Sequence, residues 1–477
     1  MRLAPSLIAL TSTLALGACA VVGPDFQRPP VPGATAYAMA GDAPAALAQL
    51  SPEARPAGAW WTAFGSTQLD AVIRQALKDS PTVAEAQATL ARAQAQAAAA
   101  QGGLAPRADL NAGGQRERIN TQAFGFTGFP SPTINLFSIG GTVSYDLDLF
   151  GGRRRAVEAA RARAEMEARQ ADAAYLTLTG NVALQALKIA TLRAQIEALD
   201  AIIADDHRTI DMTRRAEAAG GAAPSAISGG QGQLARDEAM RPALERDLGQ
   251  ARHQLALLVG KAPADWAAPD FSLAEFNLPA RTPIALPSAL VRQRPDILAA
   301  EAEFHAATAQ IGVATADLYP DIKLSAGLTQ QAIEPANLFR YSSTGWNLAG
   351  GLTAPLFNGG TLRANRRAAE ADAKAALARY QGTVLRALVQ VADVLTALSE
   401  DDRAIAAEAR SEASQAANLK DARSAYDLGG GALISVVDAQ RELGRARSNS
   451  IIAQGRRYSD LVSLFTATGA NWKPDGN

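Results

Sequence analysis

The nine residues Tyr145-Asp146-Leu147-Asp148-Leu149-Phe150-Gly151-Gly152-Arg153 decide how the rest of the chain is read. From about Gly141, small or polar Thr142, Ser144, Asp146 and Asp148 alternate with bulky Val143, Tyr145, Leu147 and Leu149. A period of two marks a strand with two unlike faces. Beyond the glycine pair the sequence is rich in Ala, Arg and Glu, with no Pro or Gly before Gly180, and such sequence forms helix readily. The glycines therefore mark a joint between a strand and a long helix. The same joint recurs where Leu348, Gly350, Leu352, Ala354 and Leu356 alternate and Phe357-Asn358-Gly359-Gly360 follows. Two such joints imply a duplicated chain.

The offsets bear this out along the sequence. Pro81 maps on Pro295 with an offset of 214, and the same shift takes Leu104-Ala105-Pro106 to Leu318-Tyr319-Pro320. Phe150 maps on Phe357 at 207, so the loop between strands is shorter in the second half. Val182, Gly220 and Gly260 map on Val391, Gly429 and Gly469, all at 209. A constant offset over the helical arm preserves its length in both halves, as paired antiparallel helices of fixed reach require.

The chain then divides as follows. Residues 1–18 read as a signal peptide, 19–67 as an N-terminal arm, 68–266 as the first repeat, 267–287 as a Pro-rich linker, 288–472 as the second repeat and 473–477 as a tail. The first repeat carries strands near 107–118 and 135–150, a long helix over 152–219 and a return helix over 231–259. The second carries strands near 321–332 and 344–357, a long helix over 361–428 and a return helix over 432–468. In the first long helix Leu178, Val182, Ile189, Leu192, Ile196, Leu199 and Ile203 follow 4/3 spacing, with Gln185 as the polar interruption, a coiled-coil-like seam. At ~1.5 Å per residue that helix reaches about 100 Å. The fold class is mixed α and β, mainly α, built on a duplicated helix-strand-strand-helix-helix unit.

Composition narrows the function. The chain has 477 residues, 48% hydrophobic and 19% charged, with a formal net charge of -1, which gives no basic footprint for nucleic acid. Cys19 is the single cysteine, so there is no disulfide framework and no cysteine metal site. His207, His253 and His305 stand alone on helical stretches. No Walker loop, His-Glu-x-x-His or Gly-x-Ser-x-Gly elbow occurs, so the sequence reads as a non-enzyme without a cofactor. Arg2 and the apolar run Leu3–Leu16 precede Leu16-Gly17-Ala18-Cys19, which resembles a bacterial lipobox. Cys19 is then the site of a covalent lipid; the alternative is an ordinary signal peptide with an incidental cysteine. Ala20 follows instead of an inner-membrane retention Asp, which points to the outer membrane. No other apolar helix of about 20 residues stands out, so a membrane crossing falls to the strands.

Four strands cannot close a spanning barrel, because about eight is the floor for single-chain barrels. An open edge in lipid leaves backbone groups unpaired at a cost of several kcal/mol each. Copies must therefore share a wall. Two would give eight strands and a filled bore, and three would give twelve with room for water.

Several stretches together resemble the outer-membrane efflux protein family, the TolC-like trimeric channels, in the lipoprotein branch that serves resistance-nodulation-division pumps. They are Val22-Gly23-Pro24-Asp25, Trp60-Trp61 with Phe64, the Tyr145–Gly151 joint, Arg294-Pro295-Asp296-Ile297 with Ala300-Glu301, Ile311-Gly312-Val313-Ala314, Pro355-Leu356-Phe357 and Val437-Asp438-Ala439-Gln440-Arg441. The resemblance implies a homotrimer with a twelve-stranded transmembrane β-barrel, continued by a twelve-helix periplasmic barrel. It implies a passive exit duct that works with a periplasmic adaptor protein and an inner-membrane pump. The alternatives are an exit channel for type I protein secretion and a periplasmic adaptor lipoprotein.

A duct needs a gate, and the helical tip farthest from the barrel supplies the candidates. Three copies would bring Asp438 together around the axis, with Ile434 one turn before it as an apolar ring. In the resembled family the matching tip positions include a Tyr and an Asp that restrict the aperture, here Tyr426 and Asp438. Ser435 and Gly431 stand where some relatives carry an acidic and a basic residue. The alternative for Asp438 is a solvated acid near a helix N-terminus. Gly220, Gly221, Gly429 and Gly430 cap the long helices, and their exposed turns would dock on the adaptor. Asp146 and Asp148 read as solvated lumen-facing acids. Arg153, Arg154, Arg155, Arg363, Arg366 and Arg367 read as facing lipid headgroups or as pairing with Glu158 and Glu370.

Overall fold

Alternation, helix formers and glycines resolve into eight principal helices and a four-stranded sheet in a computed structural model that describes residues 21–30, 33, 37, 39, 50–51, 59–125, 128, 130–278, 282–283 and 287–469. The first half runs α1 (Thr67–Asp79), α2 (Pro81–Gly102), β1 (Arg107–Arg118), β2 (Thr133–Asp146), α3 (Gly152–Ala218), α4 (Pro224–Glu238) and α5 (Arg241–Val259). The second runs α6 (Pro295–Ala316), β3 (Asp321–Ala332), β4 (Thr344–Thr353), α7 (Thr361–Asp427) and α8 (Leu433–Ala467). Signal-peptide residues 1–18 and Cys19 lie outside the described residues.

The chain forms two compact units, and both long helices contribute to each. The first unit comprises residues up to Pro29, Thr89–Glu167 and Ala299–Tyr380. Its sheet is antiparallel throughout, in the order β1-β2-β3-β4, so the two halves of the sequence meet at β2 and β3. Register settles which side chains share a face. Leu110 opposes Gly141, Ala108 opposes Val143, Val143 opposes Ala326, Leu328 opposes Trp346 and Ala326 opposes Leu348. One face therefore collects Leu110, Val143, Leu324, Leu328, Trp346, Leu348 and Leu352, all exposed. The other collects Asp109, Asn111, Thr142, Ser144, Lys323, Ser325, Thr329 and Asn347. Strands of 10–14 residues match the span of a lipid-crossing strand. Among the described residues the outer edges of β1 and β4 have no neighbouring strand.

The strands end earlier than alternation suggests. β2 stops at Asp146 where 150 was expected, and β4 stops at Thr353 where 357 was expected. Asp148 is the reason at the first joint. It takes the left-handed conformation at φ 46°, and its carboxylate accepts from the backbone N–H of Arg153 at 2.8 Å and of Arg154 at 3.0 Å. It caps the free donors of α3, which is worth about 1 kcal/mol. Its side chain also meets Arg154 at 3.2 Å, and Asp146 pairs with Arg153. Neither acid is the merely solvated group expected from sequence, and the pairing with Glu158 and Glu370 is met by Arg155 and Arg366. Arg155 bonds Glu158 at 2.7 Å and Arg366 bonds Glu370 at 2.9 Å.

The arm is likewise built into this unit. Val22 donates to the Phe150 carbonyl at 3.0 Å, and buried Arg155 reaches the carbonyls of Val22 and Gly23 and the Asp25 carboxylate. Phe26 stacks on His305 with ring centroids 4.3 Å apart, and Nε2 of His305 lies 3.0 Å from Glu158. His305 is thus not a lone residue. Arg28 closes the segment on Glu301 at 2.7 Å.

The second unit comprises Pro30–Ala88, Ala168–Leu298 and Gln381–Asn477. Its core is aromatic. Trp60, Trp61, Phe64, Phe271 and Phe465 are wholly buried, Trp60 stacks on Phe465 at 5.4 Å, and Phe276 of the expected linker packs against Phe64 and Tyr458. The return helix of the first half is not one helix over 231–259. It breaks at Ala239-Met240 into α4 and α5, because Pro242 has no N–H to continue the ladder. In α7 an 18-residue window reaches a mean hydropathy of 1.3, more apolar than the sequence reading allowed. It lies inside a 67-residue helix, and it leaves Leu385 and Val389 exposed on its surface.

Two acids extend the buried row of α7 and α8. Asp401 is 5% exposed and faces Asp460, with Arg456 and Arg457 nearby and Arg457 bonded to Asp402 at 2.7 Å. Burial and the Asp460 carboxylate push Asp401 up to about 6. A carboxyl raised in the folded state binds its proton more tightly there than when unfolded, so stability is lost as pH rises through about 6. Asp401→Asn is expected to flatten that decline, raising the melting temperature at pH 8 relative to the parent while the two converge below about pH 4. A variant that melts with the parent's pH slope would show that Asp401 does not hold the proton.

Candidate functional site

The two helical tips are built alike. At the end of α3, Gly220 has φ +76° and donates to the Glu217 carbonyl at 2.8 Å, and Gly221 donates to Ala216 at 2.8 Å. At the end of α7, Gly429 has φ +76° and donates to Tyr426 at 2.9 Å, and Gly430 donates to Ala425 at 2.9 Å. This paired pattern closes a helix on a left-handed glycine and satisfies its last carbonyls. Pro224 then opens α4 at its first turn, whereas α8 starts at Leu433 without a proline. Leu428 is left almost fully exposed at the second tip.

Tyr426, Ile434 and Asp438 lie within this second tip but divide into two roles. Tyr426 is half-buried against Leu419, Val436, Ala439 and Leu443, where it holds α7 to α8. Ile434 and Asp438 stand one turn apart on the outward face of α8, both exposed. The apolar ring candidate is therefore a large hydrophobic side chain in solvent, and the acid beside it is an exposed carboxylate. Arg441 Nη1 approaches Asp438 at 3.5 Å, and Glu442 one turn further bonds Arg445 at 2.7 Å.

Behind that face lies a feature that sequence reading passed over. Asp206 is 6% exposed and meets Asp237 of α4, with Arg441 near Asp206. Burial and the neighbouring Asp237 carboxylate push Asp206 up to about 6. The signal was present in the seam. Continuing the spacing from Leu199 and Ile203 lands on Asp206 and then on buried Ile210, so a carboxyl occupies a position that the pattern reserves for an apolar residue. Among the described residues no group of three or more His, Cys, Asp or Glu is placed to hold a metal ion.

The chain matches the family model described as outer membrane efflux protein over residues 72–261 and 286–470. It is 29% identical to the pyoverdine export outer membrane protein OpmQ of Pseudomonas aeruginosa, over 87% of this chain and 88% of that one. It is 28% identical to the cation efflux system protein CusC of Escherichia coli, over 98% of this chain and 99% of that one. Among solved structures, the outer-membrane channel OprN superposes with a TM-score of 0.84 at 26% identity, covering 94% of this chain and 99% of that one. A two-faced sheet, capped hairpins of long helices and a match over both repeats lead to one conclusion: the chain belongs to the outer membrane efflux protein family, and it is an outer-membrane efflux channel, not an enzyme.

Proposed function

We propose that this chain is the exit duct of a tripartite pump, a homotrimer that receives small solutes from an inner-membrane pump through a periplasmic adaptor. The observation that carries this reading is the sheet, with one apolar face, one polar face and, among the described residues, no strand beyond β1 or β4. A wall of that kind is stable in lipid only when its edges are paired. Three copies supply twelve strands, enough for a water-filled bore. Pyoverdine and cations, named for OpmQ and CusC, are both small cargoes, which favours solute efflux over the export of polypeptides. A diacylglyceryl group on Cys19 would hold the arm to the membrane, and the capped turns at Gly220-Gly221 and Gly429-Gly430 are the surfaces offered to the adaptor.

In this reading Asp438 and Ile434 from each copy ring the periplasmic aperture, and Tyr426 sets the helix that carries them. Like charges in a narrow bore attract cations and resist close approach. Asp438→Ala is expected to raise leak conductance in a planar bilayer and to remove its cation preference, with the change weakened at high salt. An unchanged conductance and selectivity would remove Asp438 from the gate. Subunit counting of the detergent-purified protein tests the trimer, and a stable monomer would refute it.

A further inference from the structure

Arg441 stands between two acidic groups and is committed to neither. Its Nη1 is 3.5 Å from Asp438, longer than the ~2.7–2.9 Å of a firm charge-assisted hydrogen bond. Its Nε is buried without an acceptor. On its other side Asp206 is buried, with Oδ2 meeting no donor, and faces Asp237. Gln233 donates to Asp237 at 2.8 Å, and Thr209 to Gln440 at 3.3 Å ties α3 to α8 beside Arg441. Two further groups lie nearby: Asp205 pairs with Arg208, and exposed His207 lies 4.0 Å from Glu238.

We propose that Arg441 is a shared counterion that moves between Asp438 on the outward face and the Asp206–Asp237 pair behind it, so that a proton held by that pair sets the charge presented by the aperture. This rests on the reading of Asp438 as a gate residue. With the proton in place, the pair carries one negative charge, and Arg441 remains free to offset Asp438. When the proton leaves to water, the pair carries two charges in a site of low dielectric and draws the guanidinium inward. Asp438 is then uncovered in every copy, and mutual repulsion widens the ring.

Raised Asp206 fits this direction. The paired, protonated state is held below about pH 6 and lost as pH rises through that value. The switch is a local change of charge at the tip.

The test is planar-bilayer leak conductance of the full-length protein between about pH 5 and 8. The parent is expected to show a several-fold rise as pH passes about 6. Asp206→Asn, which keeps the shape and can donate to Asp237, is expected to stay at the low-pH level throughout. Arg441→Gln is expected to stay at the high level throughout. His207→Gln, which removes the neighbouring imidazole beside Glu238, is expected to keep the parent's step. If Asp206→Asn retains the step, or His207→Gln abolishes it, the counterion proposal falls. Asp438→Asn separates the two ideas: unchanged conductance and selectivity there would overturn the gate itself, whereas a changed gate with an unchanged Asp206→Asn profile would overturn only the role of Arg441.

Discussion

Replacing Trp60 by alanine destabilises the second unit by about 3–5 kcal/mol, the cost of emptying a large aromatic site in a packed core. Trp60 is wholly buried, stacks on Phe465 at 5.4 Å, and meets Trp61 and Phe64 edge-on at 6.0 and 6.2 Å. Its indole N–H donates to Thr179 Oγ1 at 3.3 Å, so truncation also leaves a buried hydroxyl with one partner fewer. The surroundings are poorly able to collapse into the space. Close to Phe465, Gly180 packs so tightly on Thr466 that a Cβ would lie 2.6 Å from its Cγ2, which holds α3 against α8. Trp60→Phe keeps the stack and loses only the hydrogen bond and part of the volume, and should recover most of the stability. Denaturant unfolding of the detergent-purified protein reads both variants. A loss under about 1 kcal/mol for Trp60→Ala would mean that the aromatic cluster is not the unit's core.

Arg155→Ala is the second large effect, expected near 3 kcal/mol, the low end for breaking a buried ion pair. The side chain is 5% exposed and serves Glu158, Asp25 and the carbonyls of Val22 and Gly23 at once. Asp25 is 89% exposed, so water screens its share and the larger part falls on Glu158 and the two carbonyls. Without the guanidinium, residues 21–28 lose the centre of their attachment, although Phe26 on His305 and Arg28 on Glu301 persist. Limited proteolysis should therefore cut the arm of the variant and spare that of the parent. Arg155→Lys should rescue little, because a single ammonium cannot reproduce the guanidinium fork. An arm equally resistant in Arg155→Ala would locate its attachment elsewhere.

Much of this architecture is written locally and could be read from the chain. The alternation of Val143 and Tyr145 with Thr142 and Ser144 named both faces of β2, and the glycine tips announced where the long helices end. Local pattern failed where a long-range partner or a backbone twist decides. Leu147 and Leu149 continue the alternation, yet the left-handed Asp148 turns the chain to cap α3, and no periodicity encodes that turn. Met240 sits in good helical sequence and still marks a break, set by Pro242 two residues on. Arg155 looked like any member of an arginine triplet until the arm, some 130 residues away in sequence, wrapped around it. At the tip, Asp438 was visible from its family-like context and Asp206 only as an acid at an apolar seam position, whereas Arg441 acquires meaning only when the helices meet.

The Arg28–Glu301 bond spans 273 residues, and a Cβ at Gly23 would collide with the backbone of Gly312. Residues 23–28 are thus seated in part on a helix of the second repeat. Until α6 has been synthesised and carried across the inner membrane, Phe26 and Arg28 have nothing to rest on. A chain that holds only the first repeat can tie Val22 to Asp25 onto Arg155 but leaves Phe26 and Arg28 unseated, and the seating of those two side chains reports that the second repeat is in place.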